Sequence, residues 1–452
     1  MSRDRYTPQS GDPSIRIDHY DLSITYKMST NRLDGIAIIR GRATAAVMAV
    51  SLDLVGLRAT KVLVDGRRAP SFHQSDRRLR VSLRSALAID EAFEITIAYG
   101  GAPRPRRSRW GTIGWEELDD GALVASQPTG APTWFPCNDV PVDKATYALS
   151  VTTDRAYSVI ASGVRARGRG TSGGSATSTF IQSTPTPTYL MTIAIGRFVE
   201  REVPLAGTTG RLHFPAALTA RVRADFAELP AMMQLFERQF GPYPLPEYTV
   251  VVTADDLEIP LEAQGVGMFG ANHIQGTGSF ERLIAHELAH QWFGNSVGVA
   301  KWKDIWLNEG FACYAEWLWS EQSGNASANR RALDCHSLLT ALPQNLVVSD
   351  PGPALMFDDR VYKRGALTLH ALRLTIGDDL FFTLLRTWTR DHRASTATTA
   401  DFIALATSMS EKPVAELLHA WLDLMPLPAL PAEARPAVSG STRARAARSP
   451  RR

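Results

Sequence analysis

Two histidines four residues apart, with a glutamate directly after the first, are the residues best placed to do chemistry: His286-Glu287-Leu288-Ala289-His290. At 3.6 residues per turn both imidazoles leave one face of a helix about one turn apart, within reach of a single zinc ion at roughly 2.0–2.1 Å. Glu287 projects about 100° around from His286, so it addresses a water on the metal and not the metal itself. Ile284, Ala285, Leu288 and Ala289 are uncharged, as a helix running through a core requires. A buried helix with two hydrogen-bonded histidines would share this spacing, so a third ligand is the next requirement.

A catalytic zinc takes three protein ligands and keeps a fourth position open. Nineteen residues beyond His290 comes Glu309, in a second apolar stretch with Ile305, Trp306, Leu307 and Phe311. A carboxylate in such surroundings is costly to bury unless a cation meets it, and one zinc ion per chain would be that cation. Glu316, two turns further along the same helix, is placed either to hydrogen-bond the outer nitrogen of a ligating histidine or to lie at the surface. Cys137, Cys313 and Cys335 are too far apart for a disulfide framework or a thiolate metal site, and Cys137 and Cys313, with no adjacent histidine, are expected as inert, buried thiols.

These residues need a scaffold, and the chain changes character along its length. From 15 to 203 short alternating runs are separated by turn residues, as in Val62-Leu63-Val64-Asp65-Gly66, which predicts an antiparallel β-domain. The Gly/Ser-rich residues 168–175 inside it read as an exposed hairpin or loop. From 204 to 425 apolar positions recur three and four apart, with one clear strand at 248–252, which predicts a mixed, mostly helical second domain. Residues 1–14 are expected to be a flexible start, and 426–452, rich in Pro, Ala and Arg, a disordered tail.

The 452 residues carry 49 Lys+Arg against 46 Asp+Glu, but five of those arginines fall in the last dozen positions. Without them the balance is 44 against 46, so the body has no basic excess and a nucleic-acid partner is not expected. Residues 1–8 lack an apolar signal region and no run of 18 apolar residues follows, so neither export nor a membrane partner is expected and a cytoplasmic setting is. The sequence is silent on oligomeric state.

The run from His286 to Glu309 resembles the zinc aminopeptidases of the aminopeptidase N and leukotriene hydrolase family, whose metal set is His-Glu-x-x-His followed by Asn-Glu. Residues 126–139, Ser-Gln-Pro-Thr-Gly-Ala-Pro-Thr-Trp-Phe-Pro-Cys-Asn-Asp, are similar to the family's segment before the catalytic domain, and Tyr362-Lys363-Arg364-Gly365 to its Tyr-x-Lys-Gly stretch. The resemblance covers roughly residues 15–424. It implies a multidomain α+β chain: a saddle-like antiparallel β-domain, then a thermolysin-like, mostly helical zinc domain. Larger members continue into further domains that enclose the site. The resemblance therefore implies a short, bacterial-type form with a more open cleft.

By the same resemblance the metal ligands are His286, His290 and Glu309, Glu287 is the general base acting on a zinc-activated water, and Tyr362 steadies the oxyanion. The substrate is a peptide with a free N-terminus, whose amine is read by Glu262 and Gln127, with Gly265, Val266 and Gly267 also assigned to substrate binding. Around Glu262 the sequence departs from the family's Gly-x-Met-Glu-Asn pattern, with Ile259, Leu261 and Ala263 in place of Gly, Met and Asn, which puts the substrate's backbone contacts and the P1 pocket in doubt. An endopeptidase, an epoxide-opening relative of the leukotriene hydrolases and a non-catalytic peptide-binding relative remain open alternatives at this point.

Overall fold

The computed structural model describes residues 3–166, 168 and 170–432. A β-rich unit comes first and a mainly helical unit second, each with its own hydrophobic core. In the largest sheet the strand Ile15–Lys27 lies between Arg32–Ala43 and Ala145–Asp154. Ile15 and Ile17, then Tyr20, Leu22, Ile24 and Tyr26, are its buried side chains. The switch from odd to even numbers falls at a register shift between Ile17 and His19, since one extra residue turns every later side chain to the opposite face.

An antiparallel domain was expected, yet Ile15–Lys27 and Ala145–Asp154 run parallel, paired from His19↔Thr146 to Thr25↔Thr152. The long excursion between them, including the five-stranded sheet's strands Gly111–Leu118 and Gly121–Ala125, makes the crossover a parallel pair requires. The strand Gly170–Ser172 and the start of Ser175–Thr186 form an exposed hairpin.

The helical unit also holds a five-stranded mixed sheet, ordered Val199–Leu205, Thr208–Phe214, Glu247–Val252, Val266–Phe269 and Leu261–Ala263. Leu205, Leu212 and Phe214 already belong to the second core. The short strand Leu261–Ala263 forms this sheet's edge. At the centre of the unit lies the helix Trp306–Gln322, buried without a break from Trp306 to Ser320, as an all-round apolar helix must be. It crosses the helix Asp359–Ile376 at two glycines: a Cβ on Gly365 would stand 2.8 Å from the Gly310 Cα, and one on Gly310 2.9 Å from the Gly365 Cα.

Both ends of the described chain differ from expectation. Instead of a flexible start, residues 3–14 pack against the body. Asp4 Oδ2 accepts the Trp302 N–H at 2.7 Å, and the buried Tyr6 hydroxyl donates to Asp350 at 2.6 Å. Instead of disorder from 426 onward, Leu427 and Leu430 lie against the second core, and Arg364 donates to the carbonyls of Met425 and Pro426. A buried guanidinium with five donors needs several acceptors, which the chain at 420–426 supplies. The rest of the expected tail, 433–452, lies outside the described residues. Among the described residues no helix is long and apolar enough to cross a membrane.

The units meet over polar as well as apolar contacts. Lys144 Nζ donates to the carbonyls of Asn295 and Ser296 at 3.0 and 2.8 Å, in the turn just after His290.

Candidate active site

His286 lies in the last turn of the helix Glu281–Ala289, His290 caps its C-terminus, and Glu309 sits in the first turn of Trp306–Gln322. His286 Nε2 is 3.5 Å and His290 Nε2 3.3 Å from Glu309 Oε2, all three side chains being buried. Donors roughly 2.0–2.1 Å from an ion at tetrahedral angles stand about 3.3 Å apart, so this donor set fits an ion of zinc's size.

The outer nitrogens are held as ligating imidazoles require. His286 Nδ1 lies 2.8 Å from Glu316 Oε1, and His290 Nδ1 lies 3.0 Å from the Phe293 carbonyl oxygen. A carbonyl only accepts, so His290 carries a proton on Nδ1, which leaves Nε2 as the nitrogen turned toward Glu309 and the one a metal ion would use. Glu316 is buried and also takes both of its oxygens to Arg282, at 3.0 and 3.1 Å. That arginine leaves the metal helix one turn before His286, and the i,i+4 spacing is the signal by which the sequence could have revealed it.

Electrostatics in this pocket are set by burial against close opposite charge. Burial alone would drive the His286 imidazole toward neutrality, but Glu309 and Glu316 outweigh it and hold its pKa well above the usual histidine range. Burial would raise the Glu309 carboxyl, and His290 and His286 instead pull it to about 2. For Glu287 burial wins: it raises the pKa, Glu262 and Glu309 add to that, His286 and His290 pull against it without prevailing, and the Glu287 Oε2 is buried without a hydrogen bond. Burial and the surrounding carboxylates push the Tyr362 phenol far up, so it keeps its proton as a donor. Its ring lies parallel to that of His286, 6.2 Å away.

These residues line one cleft of about 530 Å³ between the two units. The edge strand Leu261–Ala263 brings Glu262 to its wall, with a carboxylate oxygen within 4.8 Å of donor atoms on Glu287 and His290. Gln127, from the β-rich unit, donates to Glu262 Oε1 at 2.7 Å. Two residues from the turn that follows the metal helix fix that strand: Gln291 and Asn295 both donate to the Ala263 carbonyl, at 3.3 and 2.8 Å.

Gly265, Val266 and Gly267, expected among the substrate-binding residues, are not brought to the cleft. Gly265 turns the hairpin at φ +76° and donates to Gln291 Oε1, Val266 is buried in a small satellite core, and Gly267 backs onto Tyr248. The lining comes instead from the preceding residues 256–262, including Asp256, Glu258 and Ile259, because Leu261–Ala263 is the sheet's edge and Val266–Phe269 lies inside it. Sequence reasoning also missed Trp110, Ile113, Glu116 and Phe357 on the other walls, which belong to no motif.

Residues 225–421 match the Peptidase family M1 domain, and residues 16–190 the Peptidase M1 N-terminal domain. Glutamyl aminopeptidase of Mus musculus is 26% identical over 449 residues, covering 91% of this chain and 47% of its own length. Leucyl aminopeptidase of Saccharolobus solfataricus is 27% identical over 399 residues, 81% of this chain and 48% of its own. The chain thus spans about half the length of these relatives. An M1 zinc metallopeptidase from Deinococcus radiodurans, also solved as a variant bound to a Tyr-Ser-Ala substrate, superposes with a TM-score of 0.88 at 31% identity, covering 95% of this chain and 99% of that one.

Proposed function

The chain belongs to peptidase family M1, and from that premise we propose that it is a zinc aminopeptidase, removing the first residue of peptides with a free N-terminus. One observation carries the reading: Glu262 lies within 4.8 Å of Glu287 and His290. An α-nitrogen is only about 2.5 Å from the carbonyl carbon of its own residue, so an ammonium group on Glu262 brings the first peptide bond, and no later one, over the ligand triad. The names of the relatives point the same way, one of them having been solved with a three-residue substrate.

In this reading His286, His290 and Glu309 hold the zinc, with Glu316 orienting His286. Zinc held there supplies a Lewis acid and a nucleophilic water at neutral pH. Glu262 and the amide oxygen of Gln127 accept the hydrogen bonds of the substrate's ammonium group, a charge-assisted arrangement. Glu287, with its Oε2 unpartnered, takes the proton of the attacking water and passes it to the leaving amine. Tyr362 donates to the oxygen that gains charge, a contact worth about 3–4 kcal/mol at comparable sites.

The test is hydrolysis of aminoacyl amides with free and acetylated N-termini by the zinc-loaded protein and by Glu287→Gln. Cleavage of the free set alone, reduced by roughly 10²–10⁴-fold in the variant, is expected. Equal cleavage of acetylated substrates would show an endopeptidase, and no cleavage of either by folded, zinc-loaded protein would leave a binding or epoxide-opening role.

A further inference from the structure

On the far side of Trp110 from the catalytic cleft lies a second cavity, of about 230 Å³, which no step above uses. Four arginines line it: Arg77 from the β-rich unit's smaller sheet region, and Arg106, Arg107 and Arg109 from the strand Arg106–Ser108 and the residues just after it. Among the described residues none of the four guanidinium groups forms an ion pair. Arg106 donates from one terminal nitrogen to Thr129 at 2.6 Å, while its Nε is buried without an acceptor. Arg109 lies over the Trp110 ring.

The cavity holds a second unpartnered group. Thr7 lines it, is 6% exposed, and has a buried hydroxyl with no hydrogen-bond partner. Both of these unpartnered donors lie at the same concentration of positive charge. Arg77 repels Arg106, a strain that buried side chains normally avoid by placing an acid between them. The acids behind Arg106 do not fill that place. Asp53 is already paired with Arg78 at 2.6 Å, and Asp139, which accepts from the Thr188 hydroxyl and keeps its Oδ2 without a partner, attracts Arg106 and Arg77 from behind but forms an ion pair with neither.

We infer that this cavity is a binding site for a small tetrahedral oxyanion of the phosphate class, held between Arg77 and Arg106 with the Thr7 hydroxyl as a further donor. The guanidinium fork matches such oxygens in geometry and charge, and the volume accommodates the group with room for a substituent. Neither the site nor its occupancy depends on the peptidase reading, since it shares with the cleft only the Trp110 wall.

The experiment is calorimetric titration of inorganic phosphate into the zinc-loaded full chain, with acetate and chloride in parallel, for wild type, Arg77→Gln, Arg106→Gln and Thr7→Val. Saturable binding of one phosphate per chain is expected, at least tenfold weaker in Arg77→Gln and Arg106→Gln and several-fold weaker in Thr7→Val. Among the described residues the Arg77 side chain has no hydrogen bond or ion pair to lose, and Thr7→Val keeps its shape, so these two report even if Arg106→Gln fails to fold. The inference is overturned by the absence of saturable binding, by equally tight acetate, or by phosphate binding that survives in Arg77→Gln and Thr7→Val, as capture at the metal centre would.

Discussion

The meeting of Gly310 and Gly365 gives a test whose sign is informative. Gly365→Ala places a methyl group 2.8 Å from the Gly310 Cα, where ordinary contact begins at 3.4 Å, so the two helices must part by roughly half an ångström. Overpacking of this kind costs about 1–3 kcal/mol. Against it, exchanging Gly for Ala in a helix gains about 1 kcal/mol. The net expectation is a loss of about 0–2 kcal/mol. The displacement matters more for the site, because Glu309 neighbours Gly310 on one helix and Tyr362 precedes Gly365 by one turn on the other. A shift of this size between the proposed ligand and the proposed oxyanion donor should lower turnover about tenfold, given that misplacement by 1 Å can cost about a hundredfold. Urea unfolding and turnover of an aminoacyl amide, measured on the same preparation, decide the matter. A variant stabilised by the full 1 kcal/mol that helix propensity predicts, with undiminished turnover, would refute the argument that these glycines set the distance between ligand and donor.

Glu316→Gln keeps the side chain's shape but removes the charge beside His286, so zinc affinity measured by chelator competition should fall roughly 10–100-fold; an unchanged affinity would mean that Glu316 serves Arg282 alone. His370 is buried between the Tyr314 hydroxyl and Asn329, and burial, helped by Arg373, lowers its pKa from 6.5 to about 4. Its contribution to stability is therefore complete above pH 6.5 and lost as the pH falls toward 4, so in urea titrations His370→Gln should lose less stability than wild type across that window. Asp139 has the opposite sign: raised by burial and Asp53 from 3.8 to about 7, it contributes below pH 3.8 and its contribution is lost as the pH rises through 7. Asp139→Asn should accordingly gain stability relative to wild type between pH 4 and 8, and parallel curves for the two proteins would contradict this.

How much of this was legible depends on how local each signal is. The spacing of His286 and His290 follows from the helical repeat and Glu309 from the cost of burying a carboxylate, so these three could be named from the chain, while the sequence left Glu316 open between a histidine's outer nitrogen and the surface. Tyr362, Gln127 and Glu262 carry no such local signal. Resemblance alone singled them out, and they reach the cleft from three different elements. Gly265, Val266 and Gly267 were misplaced because a motif gives neighbourhood without the direction of a strand's side chains. Trp110 and Phe357 went unnoticed because they meet only when the two units dock, at a ring distance of 6.5 Å. The β-domain's alternation was plain, but the parallel central pair was not, since period two looks the same for either direction of a partner.

That parallel pair, and the seating of residues 3–14, bear on how the protein comes into being. Residue 19 cannot pair with residue 146 until more than a hundred further residues exist, and Asp4 and Tyr6 have their partners at 302 and 350. Contacts so distant along the chain close late, because loop entropy must be overcome first. The segment around Asp4 and Tyr6 is thus among the last to settle. In a refolding experiment followed by pulsed hydrogen exchange, the amide of Trp302, which donates to Asp4, should gain protection after those of the helix Trp306–Gln322 a few residues away; simultaneous protection would show that the N-terminal segment docks on an intermediate.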